Sequence, residues 1–456
     1  LVETWSVTNQ ATTTGHINRL IEFRQAVYEH GLLARRDALF DLLDAIVAEG
    51  PVPSLPWLSL SPRFQRQWPS LYAALEDGRL DSVWLRAYLA QQVPAEGVQV
   101  FALDGSAWAR PCARTLDDRQ YVYQPTQAVN GGSVCVGYPY ALLEWSPAVR
   151  TSWCLPVDIR RVPSTQTAQA LGALQVQDLA HARSHCPQAL DIIAADGRYG
   201  HASFLRALKG QRCGVVVRLR RDRVLYRAVR PPEGKRPRGR PRVHGERFAF
   251  RDPQTWGAPQ EESTLQDPQW GLVRLARWKQ LHDLRGADVP CDVLRVCVHQ
   301  ERENPPEALW LAWQAPPLIP AGISVTGETI WRAYQHRWPV EPGIRYRKQQ
   351  LGWTQPQVHS KEAGDRWSEL VALAMWLLFL ARPLTEDHPL PWQKPQRDLT
   401  PQRVQQSFRC LFATIGTPAR PPKRRGKAPG WPQGKRRMPK QRLAVVKKQS
   451  VALKTA

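Results

Sequence analysis

Four residues in the last third of the chain carry its densest chemical signal. Tyr334, Arg337, Glu341 and Lys348 are spaced Y-x2-R-x3-E-x6-K, within Tyr334-Gln-His-Arg-Trp-Pro-Val-Glu-Pro-Gly-Ile-Arg-Tyr-Arg-Lys348. Upstream, two aspartates each close an apolar run: Val98-Gln-Val-Phe-Ala-Leu-Asp104 and Leu190-Asp-Ile-Ile-Ala-Ala-Asp196. Three carboxylates in cationic and aromatic company point to metal-dependent chemistry on a phosphate backbone. Two divalent cations held by Asp104, Asp196 and Glu341 would activate a water and stabilise the leaving oxygen. Guanidinium and ammonium groups would hold the anionic substrate that carboxylates alone repel.

Each signal also has a plainer reading. Asp104-Gly105 and Asp196-Gly197 are common turn pairs. Arg345 and Lys348 follow Glu341 at i+4 and i+7, a pattern shared by any ion-paired surface helix. What favours chemistry is the company they keep. Arg110 follows Asp104 and Arg198 follows Asp196. A carboxylate at a strand end is also rigidly placed, as a two-metal site with ions roughly 3.5–4 Å apart requires. Pro342 suits the first turn of a helix, which puts Glu341 at a helix start.

Taken together, Asp104, Asp196 and Glu341 with Tyr334, Arg337 and Lys348 resemble the DDE transposases of bacterial insertion sequences. The resemblance is to the group carrying the Y-x2-R-x3-E-x6-K signature, and it runs from about residue 96 to 381. It implies an RNase H-like α/β fold, two Mg²⁺ or Mn²⁺ ions on Asp104, Asp196 and Glu341, and strand cleavage and joining at the ends of a mobile element. Tyr334, Arg337, Arg345 and Lys348 would then contact DNA phosphates. The implied partners are double-stranded DNA, at both element ends and target, and a second copy of the chain in a synaptic dimer. The expected location is the bacterial cytoplasm, on the nucleoid. A non-catalytic DNA-binding relic and a nuclease that never joins strands are the alternatives.

The elements that must position these residues follow from periodicity. The chain has 456 residues and a formal net charge of +23, which argues for several structural units and a polyanionic partner. Apolar residues at helical spacing predict an N-terminal helical domain over 1–95, a candidate for DNA contact. Residues 96–217 read as the first part of an α/β core, with strands near 98–104, 134–143, 153–159, 190–196 and 215–219 and a helix over 165–183. Residues 218–320 read as a β-rich insertion, and 321–385 as the second part of the core, carrying Glu341. Leu370 to Ala381 is a short apolar run that fits a buried helix better than a membrane span. Residues 386–456 read as a flexible, Pro-rich basic tail, since 419–448 hold twelve Lys/Arg and no acid.

Three further signals complete the reading. Arg238-Gly-Arg240-Pro resembles an AT-hook, whose arginines would lie in a narrow minor groove. Trp310, Trp313, Trp331 and Trp338 are candidates for stacking on an unpaired base. Eight scattered cysteines without a CxxC pair suggest reduced thiols and no zinc framework. His181-x3-His185-Cys186 lacks a further ligand nearby and reads as structural.

Overall fold

A computed structural model describes residues 2–123, 133–229, 241–299, 307–423, 430, 433–434, 436 and 438–447. The Arg238 and Arg240 segment lies outside the described residues.

The chain opens with α1 (Val2–Ala26), β1 (Leu32–Ala34), α2 (Arg36–Ala48), α3 (Pro69–Asp77), β2 (Arg79–Leu80) and α4 (Ser82–Gln91). There follow β3 (Glu96–Ala109), β4 (Gln120–Tyr123), β5 (Val134–Ser146), β6 (Leu155–Arg161), α5 (Ala168–Ala182), β7 (Gln188–Ala195), α6 (Ala202–Ala207) and β8 (Cys213–Leu219). Next come β9 (Val224–Tyr226), β10 (Arg247–Ala249), β11 (Glu261–Asp267), β12 (Gly271–Leu281), β13 (Cys291–His299) and β14 (Leu309–Gln314). The described helices end with α7 (Gly327–Gln335), α8 (Val340–Gln349), α9 (Lys361–Ala381) and α10 (Pro401–Ile415).

One mixed sheet organises the molecule, in the order β11-β12-β13-β14-β8-β7-β3-β5-β4, with β6 also on β5. Only the β3–β7 and β7–β8 pairs in it are parallel. Their strands are buried on both faces, so they read as nearly unbroken apolar runs. Phe101, Leu103, Ile193, Ala195, Val215 and Val217 face the larger core, which includes α9. Val100, Ile192, Ala194 and Val216 face the opposite core, against Ile330, Trp331 and Tyr334 of α7.

The structure departs from three expectations. Residues 218–320 do not stand apart as an inserted subdomain: β14 pairs antiparallel with β8, so β11–β14 extend the central sheet. The N-terminal helices share one continuous core with the sheet, in which Leu20, Leu43 and Leu75 join Trp108 and Leu373. The expected tail is in part ordered: α10 packs Val404, Phe408 and Phe412 into that same core. Further on, the Leu443 N–H donates to the Arg114 carbonyl and the Val446 N–H to the Arg119 carbonyl, both at 2.8 Å. Val404, Phe408 and Phe412 recur every four residues, a helical stripe that the surrounding prolines and charges disguise.

By length and composition α9 is apolar enough to cross a membrane. Here its side chains are core: Trp367, Leu370, Trp376, Leu377 and Leu378 are all fully buried. None of the eight cysteines, all among the described residues, is in a disulfide.

Candidate active site

The two aspartates meet because β3 and β7 are neighbours. Leu103 pairs with Ala195 at the end of this parallel ladder, and each is followed by its aspartate. Adjacent strands lie about 4.8 Å apart, so residues 92 positions apart in sequence end side by side. Asp104 Oδ1 accepts the N–H of Gly105 at 2.8 Å, and Asp196 Oδ1 that of Arg198 at 2.9 Å. These local bonds set the direction of each carboxylate.

Arg337 occupies the turn between α7 and α8, and its Nη2 lies 3.0 Å from Asp104 Oδ2. Burial pushes the Asp104 carboxyl up, and the charge of Asp196 adds to this, while Arg337 and Arg198 oppose it. Burial works against the Arg337 guanidinium, but Asp104 first, then Tyr334, Asp196 and Glu341, hold it above its ordinary value. All three predicted carboxylates therefore act on one guanidinium.

Glu341 is exposed in the first turn of α8. The break between α7 and α8 spans residues 336–339, just before the helix start that Pro342 marks. Two contacts hold α8 on the sheet. A Cβ on Gly343 would stand 3.3 Å from Cys154 Cβ, tighter than an ordinary side-chain contact, so glycine eases this approach. Arg347, fully buried, pairs with Glu144 of β5, also fully buried. Neither Gly343 nor Arg347 was singled out from sequence. An arginine among polar residues gives no sign that its partner lies 203 positions away.

A cleft of about 870 Å³ runs past Asp196, Glu341, Arg337 and Tyr334. Its other lining includes Arg198, Arg218, Arg220, Arg221 and Arg251. Of these only Arg198 was expected. The Arg218-Leu-Arg-Arg221 cluster at the exit of β8 was the available signal, as a run of cations leaving a buried strand. Tyr334 is buried, and burial raises its phenol pKa against the nearby Arg337 and Arg218. Tyr199, also buried, has a hydroxyl without a hydrogen-bond partner; burial, then Asp196 and Asp104, raise its pKa.

Other predicted residues lie elsewhere. Lys348 donates to the Ala107 carbonyl of β3 at 3.0 Å, and burial lowers its pKa to about 8. Arg345 is exposed on α8, and neither it nor Lys348 lines the cleft. Arg110 is buried, donating to the carbonyls of Pro356 and Val358 at 2.9 and 3.0 Å, so it is structural. Trp310, Trp313 and Trp331 are core residues, whereas Trp338 is exposed at the cleft.

Among the described residues, no group of three His, Cys, Asp or Glu is arranged as a closed metal cage. The donor chemistry nevertheless fits a hard divalent cation, which prefers carboxylate oxygens. Asp104 and Asp196 form a like-charge pair in a partly buried setting, and the Arg337 guanidinium stands in for the cation on Asp104. The buried Arg337 Nε and Tyr199 hydroxyl are unsatisfied, as expected of a site made for a further polar ligand.

A family model described as "DDE superfamily endonuclease" matches residues 28–282, more than half of the chain. The match contains Asp104 and Asp196 and ends before Glu341. No curated protein matches the chain. A solved piggyBac transposase synaptic complex with hairpin DNA is similar over 84% of this chain and 73% of its own, at 12% identity and a TM-score of 0.36. A likeness that slight carries no argument about fold or function.

Proposed function

The chain belongs to the DDE superfamily endonuclease family, and on that premise we propose that it is a DNA transposase that cuts and joins strands at the ends of an insertion sequence. The observation that carries this reading is the convergence on Arg337: Asp104 within β3, just past the end of its parallel ladder with β7, and Asp196 directly after β7, with Glu341 on the same cleft as Asp196. The strand order β6-β5-β3-β7-β8, with an antiparallel β3–β5–β6 meander and parallel β7 and β8, supports an RNase H-like core.

Asp104, Asp196 and Glu341 would hold Mg²⁺ or Mn²⁺, two ions in the full site. When bound, these ions would supply Lewis-acid polarisation of the phosphate and a water more acidic than bulk water. The chain's own residues do the rest. Asp104 and Asp196 are aimed by the N–H groups of Gly105 and Arg198. Arg337 leaves Asp104 once that carboxylate is otherwise neutralised, and donates to a non-bridging phosphate oxygen. Arg198, exposed beside Asp104, adds a second cation where charge builds in the transition state. Water attacks the phosphorus in line and the 3′ oxygen leaves. That freed 3′ hydroxyl then attacks a second phosphodiester by the same displacement. Cutting and joining two ends calls for a dimer.

The test is a labelled element-end duplex, taken from DNA flanking the gene, incubated with the protein and Mg²⁺. Joined products are expected. Cleavage alone would leave a nuclease, and binding alone a catalytically silent relic; either overturns the transposase reading.

A further inference from the structure

We propose that Arg218 and Arg251 form a sequence-indifferent phosphate wall for one polynucleotide strand passing the carboxylates, whereas their neighbours Arg220 and Arg221 do not take part. The proposal rests on the nucleic-acid reading of the cleft given above.

Four arginines besides Arg198 and Arg337 line the cleft, and their surroundings divide them into two pairs. Arg220 Nη2 lies 3.3 Å from Asp222, and Arg221 is paired with Glu307. All four side chains are exposed, and only Arg220 and Arg221 have an acidic partner within ion-pair distance. Among the described residues, no carboxylate lies within ion-pair distance of Arg218 or Arg251, so their charges are uncompensated. A guanidinium without an internal partner in a cleft is set to accept a phosphodiester oxygen.

Both are also rigidly carried. Arg218 sits on β8 and is paired with Leu311 of β14. The loop after Asp196 passes directly over its backbone: a Cβ on Gly200 would stand 2.7 Å from the Arg218 carbonyl oxygen. Gly200 therefore fixes the distance between the Asp196 loop and Arg218. Arg251 follows Phe250, whose ring stacks on Trp310 of β14 with centroids 4.2 Å apart and planes 11° apart. Trp310 pairs with Leu219, the residue after Arg218. The two guanidiniums thus hang from one β8–β14 ladder, and the cleft they line also holds Asp196, Glu341, Arg337, Arg198, Asp222 and Glu307.

Phosphates carry no base identity, so such a wall positions a strand without reading it. Each phosphate neutralised adds about 0.9 to the slope of log affinity against log salt on duplex DNA, and about 0.7 on single strands. The experiment is a fluorescence-anisotropy titration of the full-length protein on duplex and single-stranded oligonucleotides, across a salt series and without divalent metal. Arg218→Ala and Arg251→Ala should each lower the slope by about 0.9 on duplex or about 0.7 on a single strand. Arg218→Lys should restore it, and Arg220→Ala and Arg221→Ala should leave it unchanged. Thermal melts of each variant verify folding.

Unchanged slopes for Arg218→Ala and Arg251→Ala, or equal losses for all four, would overturn the proposal. Absence of DNA binding by the wild type would do the same. A slope loss confined to Arg218 and Arg251, together with no joined products in the separate Mg²⁺ assay on the element-end duplex, would sustain the wall and remove the transposase reading. Joined products in the Mg²⁺ assay with unaltered slopes would do the reverse.

Discussion

Arg337 Nη2 lies 3.0 Å from Asp104 Oδ2, joining the turn before α8 to the strand β3 across 233 positions of sequence. The pair does two things at once. It neutralises a carboxylate that burial and Asp196 would otherwise push toward protonation. It also holds α7 and α8 at the end of the sheet, which places Glu341 on the cleft.

The first prediction concerns the carboxylates. Asp104→Asn, Asp196→Asn and Glu341→Gln each remove a charge and keep size, so each should reduce cleavage to background and leave binding to DNA largely intact. A gel assay with a labelled end duplex and Mg²⁺ decides it. Any variant with near-normal turnover strikes its residue from the site.

Arg347 and Glu144 form an ion pair that is fully buried on both sides. Removing one partner leaves an uncompensated charge in the core, so Arg347→Ala should destabilise the fold by about 3–5 kcal/mol. Replacing both, as Arg347→Met with Glu144→Gln, should recover much of the loss. Denaturant melts of the single and double variants test this, and equal stability of all three proteins would refute it.

Glu369 of α9 has its pKa raised from 4.5 to about 7, by burial first, with Asp158 and Asp365 adding and Ser82 and Arg86 opposing. The folded state therefore binds more protons than the unfolded state between pH 4.5 and 7. Stability from this group is present at low pH and is lost as pH rises through that window. Glu369→Gln should remove this part of the slope, so wild type minus variant stability should fall from about pH 4.5 to about 7. A difference that stays flat across the window would show that Glu369 does not titrate there.

The Leu443–Val446 stretch docks beside the start of β4 through two backbone N–H groups, and Arg119 Nη2 donates back to the Leu443 carbonyl at 3.0 Å. Val446→Pro removes one of those donors. Limited proteolysis should then cut the C-terminal 419–456 region faster, while the melting temperature of the sheet stays put. An unchanged cutting rate would mean that the docked stretch does not protect this region.

Arg238 and Arg240, in a run that resembles an AT-hook, lie outside the described residues. If they enter a minor groove, Arg238→Ala with Arg240→Ala should weaken binding more on A·T-rich than on G·C-rich duplexes, because the narrow A·T groove focuses negative potential. Equal losses in a paired titration at fixed salt would reduce the segment to a phosphate contact.

Local pattern determined a good deal of this protein. Buried parallel strands announce themselves as apolar runs, so β3, β7 and β8 were legible, with Asp196 directly after β7, as were α5, α9 and the proline-marked break before Glu341; that β3 runs on through Asp104 to Ala109 was not, because the polar and small residues after Leu103 hide its antiparallel pairing with β5. Tertiary structure alone decided which strands are neighbours. That choice sets Asp104 beside Asp196, turns residues 218–320 into a continuation of the sheet, and folds α10 onto the N-terminal helices. It also divided the cations: Arg110 and Lys348 look like substrate ligands in sequence, yet they serve backbone carbonyls. Arg218 and Arg251 look ordinary, yet they line the cleft. The reason is physical. Side-chain period reports which face a residue takes, whereas a charge's role depends on partners that only long-range packing supplies.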